Sequence, residues 1–325
     1  MHVIVLLKGG EHMNVRIVAS TYQGWSSVVL ESELVRVELI PQLGAKIVSL
    51  SYKPTGKEWL LDAGERELKL KQADGLSFGQ LDMSGWDECF PTIDACSIEL
   101  EDAVVVSLPD HGEVWSLSWE ASLGADSVCC SVNGAALPYE LSRTISFADE
   151  GIVRMDYRVV NLGEQSMPFL WVPHPQFAVE EPTQLELPTS TEDALCVFGE
   201  LHHQTGERYR WDELSLISAA VSGDGHKYYA PSKREEGWCR LLALGSGNWL
   251  RLEVDPQQVP YFGVWIDEGM FNDRNVITPE PSIGYYDSLA RAVENGSAPF
   301  IAPGDAYEWS MKLQPGEMEP GHLNK

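Results

Sequence analysis

The sequence predicts an all-β protein, one sandwich of large antiparallel sheets with few and short helices. Three observations carry this reading. Apolar and charged residues alternate with period two along much of the chain, turn signals separate the alternating runs, and helical patterns are scarce. The runs spread over all 325 residues with no repeat, low-complexity linker or charge block between them, which fits a single domain. Residues 14–315 are assigned to it, and 1–13 and 316–325 are read as tails.

The elements follow in order. Val35-Arg36-Val37-Glu38-Leu39 alternates as a half-buried strand does, and Val114 to Ala121 alternates apolar residues with Ser and Glu. The pattern returns in Val153 to Val159, Leu250 to Val254 and Tyr307 to Leu313. Turns are signalled at Pro41 to Gly44, Pro54 to Gly56, Pro109 to Gly112, Asn133-Gly134, Asn161 to Gly163 and Pro303 to Asp305. The best helix is Asp287 to Glu294, with Asp287 as N-cap and Gly296 as its stop; Glu65 to Gln72 is a second, shorter candidate.

Composition excludes several partners. With 23 Lys+Arg against 49 Asp+Glu the net charge is −26, which disfavours nucleic acid and anionic membrane surfaces, since both are bound through Lys and Arg. No stretch approaches the roughly 20 apolar residues that span a bilayer. The N-terminal apolar run is too short for a signal-peptide core, so the expected compartment is the cytoplasm, and the expected state a monomer or homodimer. The six cysteines lack paired CxxC spacing and are expected to be reduced and mostly buried. Eleven Trp is the unusual count, because Trp suits carbohydrate stacking as well as cores.

Four segments hold polar groups that packing would not select. Gly85 to Ile93 sets Trp86, Asp87 and Glu88 before an apolar run; alone it reads as a loop with solvated carboxylates. Pro109 to Trp115 holds His111 beside Gly112, where a tight turn can project the ring into a cleft. His174 interrupts an apolar strand and is fenced by Pro173 and Pro175, so that strand is not an ordinary central one. Glu280, between Pro279 and Pro281 in a loop with apolar neighbours, is the most unusual single residue. Phosphate-cradling Gly loops and Gly-x-Ser-x-Gly are absent, and His202-His203 lacks a metal-type partner, so no metal site is expected.

In chain order, Pro41-x-x-Gly44-Ala45-x-Ile47-x-Ser49-Leu50, His111-Gly112, His174 and Glu280-Pro281 resemble the aldose 1-epimerase (galactose mutarotase-like) superfamily. The resemblance runs from Val28 to Leu313 and takes in Leu141 to Phe147, Asn161 and Val259 to Trp265. It implies a β-supersandwich with a sugar cleft on a concave sheet, and interconversion of aldose anomers without a cofactor. It further implies that His174 is the acid that protonates the ring oxygen, Glu280 the base for the anomeric hydroxyl, and His111 the group that holds the ring oxygen. A family Asp that grips hydroxyls falls near Asp224 to Tyr228, where Asp224, His226 and Lys227 are all candidates. The acidic Gly85 to Phe90 stretch, where an Arg is expected, turns the reading from phosphorylated hexoses towards a neutral or modestly modified aldose.

The chemistry agrees with those roles. Ring opening delivers a proton to O5 and removes one from O1, so an acid and a base must flank the anomeric centre together. Trp86, Trp115, Trp171 and Trp265 lie beside the four segments as stacking candidates, with core packing the alternative for each, and Asp87 and Glu88 are candidate substrate-binding carboxylates. Two other readings stay open: a non-catalytic carbohydrate-binding protein on the same fold, and lyase or hydrolase chemistry, for which Asp87, Glu88 and Glu280 would have to converge.

Overall fold

The computed structural model describes residues 13–70, 77–100 and 103–319. Within them the chain is built from antiparallel sheets of nine, seven and six strands, with two short two-stranded ribbons. The alternating runs form strands as their pattern requires: Val35–Ile40, Ile152–Asn161, Asn248–Val254 and Ala306–Glu317. In the nine-stranded sheet the inward set is Leu141, Arg143 and Ile145 on Tyr139–Asp149, Met155 and Tyr157 beside it, and Trp309, Met311 and Leu313 beyond. Tyr157 opposes Trp309, and their rings stack at 5.2 Å between centroids.

The seven-stranded sheet covers that inner face, and the two layers meet at one buried polar group. Glu88, on the strand Trp86–Cys89, accepts from Arg143 Nη1 at 2.7 Å, Tyr157 OH at 3.0 Å and Trp171 Nε1 at 2.8 Å. A buried carboxylate is tolerable only when paired and hydrogen-bonded in this way. Asn161 closes a turn by donating to the carbonyls of Gln165 and Ile301.

Several expectations are corrected. Val114 to Ala121 is not a continuous strand: Val114–Ser116 is a 3-10 turn and the strand is Glu120–Leu123. Buried Glu113 bends the chain there, accepting from Ala136 N and Tyr139 OH while its carbonyl takes Ser116 Oγ. Residues 65–70 of the expected second helix are not helical, and Lys71 and Gln72 lie outside the described residues. The C-terminal helix is Leu289–Glu294, and Asp287 does not cap it, because its carboxylate is held by Lys227 and Tyr229. Gly296 does stop it, at φ +72°. The last strand runs on to Glu317, so Gly316 and Glu317 belong to the sheet rather than to a tail. All six cysteines are free. No helix among the described residues is long and apolar enough to cross a membrane.

Candidate functional site

The site lies on the seam between the seven- and six-stranded sheets. The strand Val172–Pro175 is the edge of the first, and Val276–Ser282 lies next to the edge of the second. Antiparallel bridges join Trp171 to Ile283 at one end and Phe177 to Ile277 at the other. Continuing that register sets His174 directly opposite Glu280, Pro173 opposite Pro281 and Pro175 opposite Pro279. Ile283 N donates to Trp171 O at 3.0 Å, which makes that pair a hydrogen-bonded one. The next such pairs are therefore the two proline pairs, and none of those four residues has an N–H to give. His174 and Glu280 fall at the non-hydrogen-bonded position between them, where facing side chains approach most closely. His174 Nδ1 sits 3.1 Å from Glu280 Oε1.

Glu280 is accordingly a strand residue, fully buried, not the loop residue expected. Its other oxygen, Oε2, is 2.7 Å from Lys227 Nζ in an ion pair whose angle falls outside hydrogen-bond geometry. Lys227 Nζ also lies 2.7 Å from Asp287 Oδ1, which accepts from Tyr229 OH at 2.7 Å. Burial alone pushes the Glu280 carboxyl up, but Lys227 and His174 outweigh it and hold it below its usual range. Asp287 and Glu280 together hold the Lys227 ammonium strongly protonated against burial. Burial dominates at His174 and pulls it down to about 4, well under the ordinary imidazole range.

His111 enters from the facing loop with φ +59°, a left-handed conformation uncommon for a residue with a side chain. The backbone fixes it there: His111 N donates to Ile93 O, while Ile93 N and Asp94 N donate to Asp287 O. A Cβ on Gly112 would meet Phe90 O at 2.1 Å, so only glycine allows this approach. His111 Nδ1 pairs with Asp110 Oδ1 at 2.9 Å, and Asp110 Oδ2 accepts from Phe78 N. Phe78 stacks on the His111 ring at 4.2 Å and stands edge-on to His174 at 5.1 Å; the two imidazoles are 4.9 Å apart. Burial raises Asp110, but the His111 hydrogen bond and charge more than offset it.

These groups line a cavity of about 470 Å³, inside the roughly 300–1,000 Å³ of small-molecule sites. Its charged and imidazole groups are His111, His174, Glu280, Lys227, Asp94, Asp110, Asp287 and Arg291, and its walls include Phe78, Phe198, Trp265, Phe271 and Tyr286. Strand parity decides which expected residues reach it. On Asp224–Tyr229, Lys227 faces the cavity with Trp265 opposite it in register. Asp224 and His226 point to the other face, where Asp224 Oδ2 holds His202 Nδ1 at 2.8 Å and His226 stacks on His203.

The same parity removes Trp86 and Glu88, which face the sandwich interior; Trp86 packs edge-on to Phe177. Trp171 is buried against Tyr157 and Trp309. Trp115 packs behind Phe78 without lining the cavity. Asp87 is bound to Lys46 Nζ at 2.5 Å, beside Asp82, and burial lifts it to about 6 against the pull of that cation. The carboxylates of Gly85 to Ile93 are thus buried, not solvated, and neither Asp87 nor Glu88 joins Glu280 as a glycosidase pair requires. Sequence reasoning missed Phe78, Asp94, Asp110, Asp287 and Arg291. Asp110 beside His111 and Asp287 in an aromatic-rich turn left a faint signal; Phe78 left none.

No family model and no curated protein matches the chain. Solved structures do. The Slr1438 protein of Synechocystis sp. PCC 6803 superposes with a TM-score of 0.72 at 16% identity, over 93% of this chain and 99% of that one. A galactose mutarotase-like protein from Clostridium acetobutylicum matches over 94% of this chain and 99% of its own, with TM-score 0.68 and 16% identity. The chain has the galactose mutarotase-like fold. Another from Lactobacillus casei ATCC 334 matches over 89% and 100%, with TM-score 0.64 and 16% identity.

Proposed function

We propose that the cavity interconverts the α and β anomers of an aldose by ring opening and closure, with Glu280 receiving the anomeric proton, His174 delivering one to the ring oxygen and His111 holding that oxygen. The observation that carries this is the in-register contact of His174 with Glu280 on the cavity wall, 4.9 Å from the second imidazole. The proton count closes inside the pair. The productive form carries a proton on both nitrogens of His174, with Nδ1–H donated to the Glu280 carboxylate; burial makes it the minor form at neutral pH. The O1 proton passes to Glu280 while His174 Nε2–H goes to O5 and the C1–O5 bond breaks, leaving a neutral imidazole and a neutral carboxyl. After rotation about C1–C2, closure runs the same transfers backwards and restores the ion pair. Acid and base act at once, and no net charge develops on the protein.

The galactose mutarotase-like fold of its structural neighbours supports this assignment, as does the apolar wall of Phe78, Trp265 and Phe271 against which a sugar face can lie. The sugar is a neutral or modestly modified aldose. Polarimetry or exchange NMR on freshly dissolved anomers tests the reading: equilibration should be faster with protein than with buffer for at least one aldose of a panel. A sugar that binds by calorimetry yet equilibrates no faster would mark a non-catalytic binding protein instead.

A further inference from the structure

Cys89, His111 and His174 stand in three separate segments, and no part of the proposed proton relay uses the thiol. Parity along Trp86–Cys89 turns Asp87 and Cys89 to the face opposite Glu88, the face that carries His174, since His174 is the register partner of Asp87. The Cys89 sulfur and one nitrogen of each imidazole lie within 4.8 Å of one another. Tetrahedral zinc with N and S ligands needs donor atoms about 3.3–3.8 Å apart, so side-chain rotation of about an ångström closes the set.

The surroundings are those of a ligand set. Each imidazole has its Nδ1 on a carboxylate, Asp110 for His111 and Glu280 for His174, which leaves Nε2 as the free donor on both. Carboxylates in that position fix ring orientation and raise the basicity of a metal-binding imidazole. Zinc-class ions take cysteine as the thiolate, so Cys89 would enter the set with its proton lost. Phe78, stacked on His111 and edge-on to His174, supplies an apolar wall. Sequence spacing could not show this cluster, because its members are 22 and 63 residues apart and meet only through sheet pairing and the Phe90–Gly112 bridge.

We propose that Cys89, His111 and His174 bind one zinc-class divalent ion, with its fourth position open to the cavity. Two nitrogens and one thiolate select zinc, cobalt or copper over magnesium or calcium. Metal binding releases the Cys89 proton to solvent and occupies both imidazoles. If the anomerase reading holds, on which only this consequence rests, the metal-loaded form cannot run the relay.

The test uses the full chain stripped with chelator and titrated with Co²⁺, then Zn²⁺. We expect one Co²⁺ per chain, intense visible bands of a four-coordinate ion and a near-ultraviolet thiolate-to-cobalt band, all abolished by stoichiometric Zn²⁺. Cys89→Ser should lose the near-ultraviolet band, and Asp110→Asn should weaken binding by about 10–100-fold. Thermal melting of each metal-free variant checks that it folds, and His111→Asn provides a second ligand deletion. A weak octahedral spectrum, or one unchanged in Cys89→Ser and His111→Asn, overturns the site. These spectra are read without any activity, so they stand or fall apart from the anomerase assignment. In the rate assay, Zn²⁺ should slow anomer exchange by the wild-type chain at concentrations that leave Cys89→Ser unaffected.

Discussion

Replacing Glu280 with Gln isolates the base from everything else at the seam. The amide keeps the volume of the side chain, and its carbonyl can still accept from His174 Nδ1 across the 3.1 Å contact. What it cannot do is take a proton at neutral pH. A positioned acid–base group contributes about 10²–10⁴ in rate, which is about 2.7–5.4 kcal/mol of barrier. The upper part of that range is expected here, since the carboxylate takes the O1 proton and its charge also supports the protonated His174. Loss of the charge also leaves Lys227 with Asp287 as its close anionic partner, so the melting curve must be measured beside the rate. The assay is polarimetry on a freshly dissolved α anomer, with kcat and KM separated. The expected result is a fall in kcat of about 10²–10⁴, towards the upper end, with KM changed little. A kcat within about threefold of the wild type in a folded variant would remove Glu280 from the chemistry. A collapse confined to KM would make it a binding group instead.

Three further outcomes are expected. Arg143→Met strands the Glu88 carboxylate in the sandwich and should cost about 3–5 kcal/mol in denaturant unfolding; Glu88→Leu added to it should recover much of that loss, because the lone charge is gone. Trp86→Phe should leave the anomer-exchange rate unchanged, whereas Trp265→Ala, which removes a cavity wall, should raise KM with a smaller change in kcat. Gly112→Ala drives a Cβ into the Phe90 carbonyl, so it should displace His111, lower stability by about 1–3 kcal/mol and reduce the rate.

Much of the fold could be read in the sequence because half-buried strands write their faces into the chain with period two. Val153 to Val159 and Tyr307 to Leu313 both alternate, and they pair with each other in the nine-stranded sheet. Where a polar side chain bends the backbone from inside, as Glu113 does, alternation misleads: Val114 to Ala121 carries the pattern but turns. The site was legible at His111, His174 and Glu280, each odd for its surroundings. It was not legible at Asp87, Glu88, Trp86 and Trp171, because parity can be counted along a strand only once its start is known, and the Gly85 to Ile93 segment reads equally well as a loop. The choice among Asp224, His226 and Lys227 has the same cause and the same resolution: one step along the strand moves a side chain to the other face.

The two proline-fenced residues carry a relation that neither shows alone. Pro173-His174-Pro175 and Pro279-Glu280-Pro281 are the two strands of one antiparallel seam, with proline facing proline on both sides of the contact. Had any of the four been an ordinary residue, its N–H would sit at a ladder position and could draw the seven- and six-stranded sheets into continuous pairing. With all four prolines the backbones have no ladder bond to make between Trp171 and Phe177, and the separation of the strands is set by side chains. One of these side-chain contacts is the acid–base pair itself. Prolines that are poor strand residues anywhere else therefore serve here to leave the junction of two sheets to His174 and Glu280, which is why both residues are buried in strands, in contact, and still on the wall of a cavity.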